Sequence, residues 1–355
     1  MSVPTFADVE RAIFVDFECL LVGPERRPDP ALLGVLFGSD DEQLEQVITD
    51  ERLAPARVAR RERTPVASAS DAVGEIVAMA QVDGLRIAGW SFFDRERMIE
   101  ARPDLAEAIT ARYVNALQVA RPWRMKLHPD VRIEREDAYA ARHTLDKYAS
   151  LAGYPRARAL IDATPARWIR HTIGQLEANG GRYRHVTRST KRDWYRLLEY
   201  NRHDLLALRH ILLRASRELD AWRAYERTRF CVQDGAREVC FMAGSRNARL
   251  ESLLRRHGAR RWAFITAWNP ASRVLSREEN ERRQAELWRI IQGNRYTTLE
   301  GSGAGPDPSR EPEESLMVLG IGRGAAVRLA KRFGQLAIVA GERGSPPQLV
   351  STSHA

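Results

Sequence analysis

The segment Ile13–Leu20, IFVDFECL, constrains this chain more than any other. It is apolar except at Asp16 and Glu18, and its β-branched and aromatic residues favour a buried strand. An unpaired charge in such a strand costs on the order of several kcal/mol. Residues i and i+2 of a strand share a face, so the two acids project together while Val15, Phe17 and Cys19 pack on the opposite side. Either the segment is an edge strand with its acids in water, or it is a core strand whose acids meet a cation. Hard divalent ions such as Mg²⁺ prefer carboxylate oxygens and offset the mutual repulsion of two neighbouring acids.

Around it the pattern is layered. The stretches 31–38 and 48–53 are read as further strands of a meander, joined by Pro, Gly and Asp turn signals. Residues 70–84 read as a helix with Ser70 as N-cap, residues 85–90 as a short strand, and 91–101 as a second helix. From about 104 to 220 the pattern is mainly helical, with breaks expected near Pro122, Pro129, Pro155 and the Gly180-Gly181 pair. Strands, helix, strand and then helices indicate an α/β or α+β layered domain.

A different composition begins near 225. Residues 237–244, 261–270, 315–321 and 336–341 read as strands. Helices are expected at 246–258, at 276–293 (Ser276 and Glu279 in capping-box spacing, Gly293 as the stop) and at 325–334. Residues 300–314 read as a loop, and the tail after Gly344 as frayed. The stretch from Leu316 to Glu342 imitates a dinucleotide fingerprint, with Gly320, Gly322 and Gly324 before a helix. No further βαβ pattern follows, so a plain strand-to-helix turn is the expectation there. At 355 residues, two domains are expected: 1–220, a connector at 221–244, and 245–355.

Composition excludes some classes. No apolar run approaches the roughly 18 residues of a membrane span, and the N-terminus has no signal-peptide pattern, so a cytoplasmic location is expected. Cys19, Cys231 and Cys240 show no C-x-x-C spacing, which argues against a disulfide framework or a cysteine zinc site. The net charge is +9, and residues 221–355 hold 22 Lys/Arg against 14 Asp/Glu, so the excess lies in the C-terminal part. Such a surface attracts anionic partners.

Two further segments bear on Asp16 and Glu18. Asp94 follows the short strand in WSFFD, and YNRHD places Tyr200 and Asp204 at i and i+4 on one helix face. Three elements can therefore bring Asp16, Glu18, Asp94 and Asp204 to one point. Four carboxylates can hold two divalent ions that clamp the attacking and leaving oxygens of a phosphodiester.

Taken in order, VDFE, WSFFD and YNRHD resemble the three exonuclease motifs of the DEDD (DnaQ-like) superfamily over roughly residues 10–215. The Tyr-x-x-x-Asp spacing looks like its tyrosine subclass, and HTLDKYASLAGY followed by YNRHDLLAL looks like the YprB-type branch. The resemblance implies a ribonuclease H-like mixed sheet flanked by helices, joined here to a second small α/β domain. It also implies two Mg²⁺ or Mn²⁺ ions, with Asp16 bridging both, Glu18 and Asp204 completing one site, and Asp94 serving the other. Tyr200 would orient the attacking water. The implied reaction is 3′→5′ phosphodiester hydrolysis on DNA or RNA; the alternative is a nucleic-acid-binding protein that keeps the fold without catalysis. The second motif departs from the family pattern, with Gly89-Trp90-Ser91 where an Asn commonly stands. Residues 245–350 resemble a small bacterial domain family of uncharacterised function, with Asn269, Asn280 and Gln335 in motif-like stretches.

The stretch 182–196 holds six Lys/Arg against one acid, with aromatic residues interleaved. Cations for phosphates and rings for bases suit a single-strand channel, with Arg188, Lys191, Arg192 and Trp194 as candidate contacts. His143, His171, His203 and His210 lack metal-ligand spacing with Cys and are read as structural or surface residues.

Overall fold

A computed structural model describes residues 4–20, 28–38, 43–59, 63–131, 143–155, 160 and 164–353. The chain is mixed α/β and divides into two compact units, Met1–Arg121 with Ile133–Ser216, and Pro122–Arg132 with Arg217–Ala355. No helix among the described residues is long and apolar enough to cross a membrane.

In the first unit a short helix α1 (Phe6–Val9) precedes β1 (Ile13–Leu20), which is the centre of a five-stranded mixed sheet. β2 (Asp29–Phe37) pairs antiparallel with β1, and β3 (Leu44–Ile48) antiparallel with β2. On the other side β4 (Ile87–Gly89) lies parallel to β1, and β5 (Tyr113–Asn115) parallel to β4. The order is β3-β2-β1-β4-β5. Among the described residues its helices are α2 (Ala69–Val82), α3 (Phe92–Ala101), α4 (Ala106–Arg112), α5 (Ala116–Leu127), α6 (Leu145–Leu151), α7 (Pro165–Ala178) and the long α8 (Arg188–Glu226), with α5 from Pro122 and α8 from Arg217 counted in the second unit.

Both faces of the sheet are covered, which is why β1 reads as a nearly continuous apolar run. Ile13, Val15, Phe17 and Cys19 pack with Val73, Ile76 and Val77 of α2. On the opposite face Leu20 and Leu32 pack with Trp168, Ile169 and Ile173 of α7 and with Trp194, Leu197 and Leu198 of α8. Asp16 and Glu18 belong by alternation to this second, α8-covered face.

Local chemistry moves several boundaries from their expected places. The third strand ends at Ile48, because the Asp50 carboxylate accepts from the backbone N–H of Arg52 (2.9 Å) and starts a 3-10 helix, Glu51–Ala59. The N-cap of α2 is Ser68, whose hydroxyl accepts from Asp71 N–H at 3.0 Å. Pro122 lies inside α5 and does not end it: the helix goes on to bury Trp123 and Leu127, and that burial offsets the lost helical hydrogen bond.

The second unit has an all-antiparallel seven-stranded sheet, ordered β12-β11-β8-β10-β9-β6-β7. Its strands are β6 (Arg229–Asp234), β7 (Arg237–Phe241), β8 (Arg261–Ile265), β9 (Thr297–Ala304), β10 (Glu313–Leu319), β11 (Ala337–Glu342) and β12 (Gln348–Ser351). Its helices are α9 (Ala248–Arg256), α10 (Arg277–Gly293) and α11 (Arg323–Arg332). α10 and α11 cover one sheet face, with Leu287, Ile291, Ala326 and Val327 in its core. α9 covers the other, over Phe230, Phe241, Trp262 and Phe264.

Three expectations change here. Residues 300–304 are strand rather than loop: a Cβ on Gly301 would collide with the Cys231 carbonyl and lie 2.8 Å from the Phe264 ring, so glycine is what lets the strand pass. Residues 345–353 are held in place rather than frayed, because β12 pairs with β11, Val350 is core and the Ser351 hydroxyl donates to the Leu127 carbonyl (2.6 Å). Cys231 and Cys240 face one another across β6 and β7 and are joined by a disulfide, which the missing C-x-x-C spacing had argued against. The glycine turn is a strand-to-helix connection, with Gly320 at φ +85° and Gly322 as the N-cap of α11. Glu342 pairs with Arg261 (3.2 Å).

Candidate metal centre

Strand alternation puts the Asp16 and Glu18 side chains on one face of β1, and α8 crosses that face. Helical spacing places Trp194, Leu197, Leu198, Asn201, Asp204, Leu205 and Leu208 on the buried side of α8. Carboxylate oxygens of Asp16, Glu18 and Asp204 lie within 4.8 Å of one another. Glu18 and Asp204 are each 7% exposed.

Asp94 joins the same neighbourhood from α3. Ser91 caps that helix, its hydroxyl accepting from Phe93 N–H at 3.1 Å, which fixes Asp94 in the first turn. A carboxylate there is favoured by the helix dipole. The Asp94 Oδ1 atom accepts from the backbone N–H of Phe17 (3.3 Å), the residue between Asp16 and Glu18. Burial pushes the Asp94 carboxyl up to about 7; the N–H groups of Phe17, Ser91 and Asp94 itself oppose the shift, and the charge of Asp204 adds to it. A Cβ on Gly89 would collide with the Tyr113 hydroxyl and lie 2.9 Å from Asp94 Oδ2. Tyr113 donates to the Ser91 carbonyl. The departure at Gly89 thus has a local reason: the volume a side chain would take is filled by Asp94 and Tyr113.

Tyr200 is half-buried, its ring edge-on to Trp168 with 6.2 Å between centroids, against the apolar cluster under α7 and α8. Asn201, its neighbour, was not among the expected site residues. Its Nδ2 donates to Asp16 Oδ2 (2.8 Å) and to the Asp16 carbonyl (3.2 Å). A polar residue in an otherwise apolar stripe, three positions before Asp204, is the signal that marks it.

The basic aromatic stretch divides into core and surface. Trp194 is fully buried and packs in the core, so its ring is not presented to solvent and the expected stacking role falls. The cause is periodicity: Trp194 starts the apolar stripe of α8. Arg188 and Arg192 are exposed. The Lys191 ammonium donates to the Arg184 carbonyl (3.0 Å) and lies 5.5 Å from the Tyr183 ring centroid. The exposed aromatic pair near the acids is instead Phe92 and Phe93, each more than a third exposed, with the Arg95 guanidinium 4.2 Å from the Phe92 ring centroid.

The four histidines have structural partners. His143 bonds Tyr148 (3.0 Å), His171 Asp193 (2.8 Å), His203 Tyr154 (3.1 Å) and His210 the Ala152 carbonyl (3.0 Å). In the second unit Asn269, in the left-handed region at φ 45°, and Asn280 bond one another (2.9 and 3.0 Å), and Asn269 Nδ2 donates to Glu313 (2.7 Å). Gln335 donates to the Trp268 carbonyl (2.7 Å). These side chains tie a turn together. Cys231, Glu238 and Cys240 also converge, but the two sulfurs are bonded to each other.

No curated protein matches the chain. Over residues 265–338 it is similar to a family described as "Protein of unknown function (DUF3293)", a match confined to the second unit.

Proposed function

We propose that the first unit is a metal-dependent nuclease that hydrolyses phosphodiester bonds, acting 3′→5′ on single-stranded ends of DNA or RNA, and that the second unit, whose sheet takes in β6 and β7 from the expected connector at 221–244, is an accessory domain. The observation that carries this reading is the gathering of Asp16, Glu18 and Asp204 within 4.8 Å on one face of a central strand. Such a cluster is costly without cations, and its all-oxygen donor set fits Mg²⁺ or Mn²⁺. The mixed sheet with helices on both faces supports the ribonuclease H-like assignment that the three motifs imply.

Asp16, Glu18 and Asp204 would hold one ion, with Asp16 shared towards a second that Asp94 serves. Bound there, the ions would polarise the scissile phosphodiester and ready a water for attack. The protein's own part is positioning. β1 aims two acids together, the Ser91 cap sets Asp94 in the first turn of α3, and α8 carries Asp204 over the sheet. Phe92 and Arg95, next to Asp94, offer a ring and a cation to a nucleotide at the strand end.

The test uses 5′-labelled single-stranded DNA and RNA with Mg²⁺ or Mn²⁺. A ladder shortening from the 3′ end, absent without metal and abolished in Asp16→Asn, supports the reading. Oligonucleotide binding that survives Asp16→Asn, with no cleavage in any metal, overturns it in favour of a non-catalytic binding protein.

A further inference from the structure

Asp16, Gly34 and Gln46 are direct partners across β1, β2 and β3, so they form one row on the sheet face that α8 covers. The middle of the row has no side chain, and Asn201 occupies the space: a Cβ on Gly34 would collide with its Oδ1 and lie 2.6 Å from Leu205 Cδ1. Asn201 is fully buried and Gln46 is 5% exposed.

The polarity of this row runs one way. The Leu198 carbonyl can only accept, so the end of Gln46 facing it (2.7 Å) is the nitrogen. That nitrogen also donates to Asn201 at 2.9 Å, so the Asn201 atom facing Gln46 is Oδ1. The Asn201 Nδ2 is thereby left towards Asp16, where it donates to both the carboxylate and the backbone carbonyl. Flipping either amide would set acceptor against acceptor inside the core, which is unfavourable because a buried group then goes unmet.

We infer that Asn201, oriented by Gln46, is a positioning residue that holds the Asp16 carboxylate in the attitude the acidic cluster requires. It acts through Asp16. The inference rests on the metal-centre reading and adds to it a device that lies between the motif's tyrosine and aspartate. Gly34 serves the same device by admitting the Asn201 side chain.

Two readouts on the full-length protein test it. In metal-free ¹⁵N-labelled protein the Asn201 side-chain amide pair, identified by its loss in Asn201→Leu, exchanges slowly, and Gln46→Leu speeds that exchange at least about tenfold by removing the orienting donor. Calorimetric titration with Mn²⁺ gives dissociation constants raised about ten- to hundredfold in Asn201→Leu and Gln46→Leu, the usual effect of losing a partner behind a ligand. Unchanged far-UV circular dichroism shows that the fold survives; if Asn201→Leu does not fold, Gln46→Leu, which keeps Asn201, carries the test. Wild-type Mn²⁺ affinity in the folded variants overturns the inference and leaves the metal reading intact. No Mn²⁺ binding by the wild-type protein overturns the metal reading instead. The inference is then decided by the amide pair: exchange at the rate of a solvent-exposed amide overturns it.

Discussion

Asp94 bonds the backbone of β1 from a helix start, in a pocket that burial makes unfavourable to its charge. Its carboxyl is raised from an ordinary value of 3.8 to about 7, so in the metal-free protein it keeps a proton that the unfolded chain has already released. For an acid raised in this way the sign is fixed. Its contribution to stability is fully present below about pH 4, is lost as pH rises towards 7, and stays lost above that. Thermal melts in chelator from pH 4 to 8 should therefore show wild type falling relative to Asp94→Asn across this window, because the amide has nothing to titrate. Parallel curves would mean that Asp94 is solvated as an ordinary carboxylate.

At the level of elements, α8 shows what the sequence reveals and what it hides. Its 3.6-residue stripe and the i, i+4 pair of Tyr200 and Asp204 are legible, as is the strand alternation that sets Asp16 and Glu18 together. Residue type misled elsewhere. Trp194 read as a partner for nucleic-acid bases because it lies among arginines, yet its phase on the helix decides that it is core. Asn201 is not legible as a site residue because its partners Gly34 and Gln46 come from two other strands, and register cannot be read from one segment. Gly301 reads as loop because glycine lowers strand propensity, whereas the close approach of the Cys231 carbonyl and the Phe264 ring requires it. Cys231 and Cys240 become a cross-strand pair only once β6 is recognised beside β7. The difference between core and surface on α8 is measurable. Trp194→Ala should cost about 3–5 kcal/mol in urea unfolding, as for other large buried aromatics, with little change in oligonucleotide affinity per folded molecule. Arg192→Ala, at an exposed position, should change stability by less than about 0.5 kcal/mol while weakening oligonucleotide binding. The opposite pattern would return Trp194 to the binding surface.

On the scale of the whole molecule, the acidic cluster lies in one compact unit and the family similarity in the other, so cation binding should register in only one of them. A ligand that binds the folded state at a hundred times its dissociation constant stabilises it by about 2.7 kcal/mol, and that gain appears wherever opening would destroy the site. Destroying this site requires β1, α3 or α8 to leave the sheet, so backbone amides of Ile13–Leu20, the first turn of α3 and residues 197–208 of α8 should exchange more slowly in saturating Mn²⁺. Peptides from β8, β10 and β11, whose core is separate, should exchange as before. Hydrogen exchange followed by mass spectrometry resolves the two cases. Asp16→Asn and Asp204→Asn should each remove the protection while leaving exchange in the second unit untouched. Protection centred on the second unit, or surviving both substitutions, would place the cation away from Asp16 and Asp204.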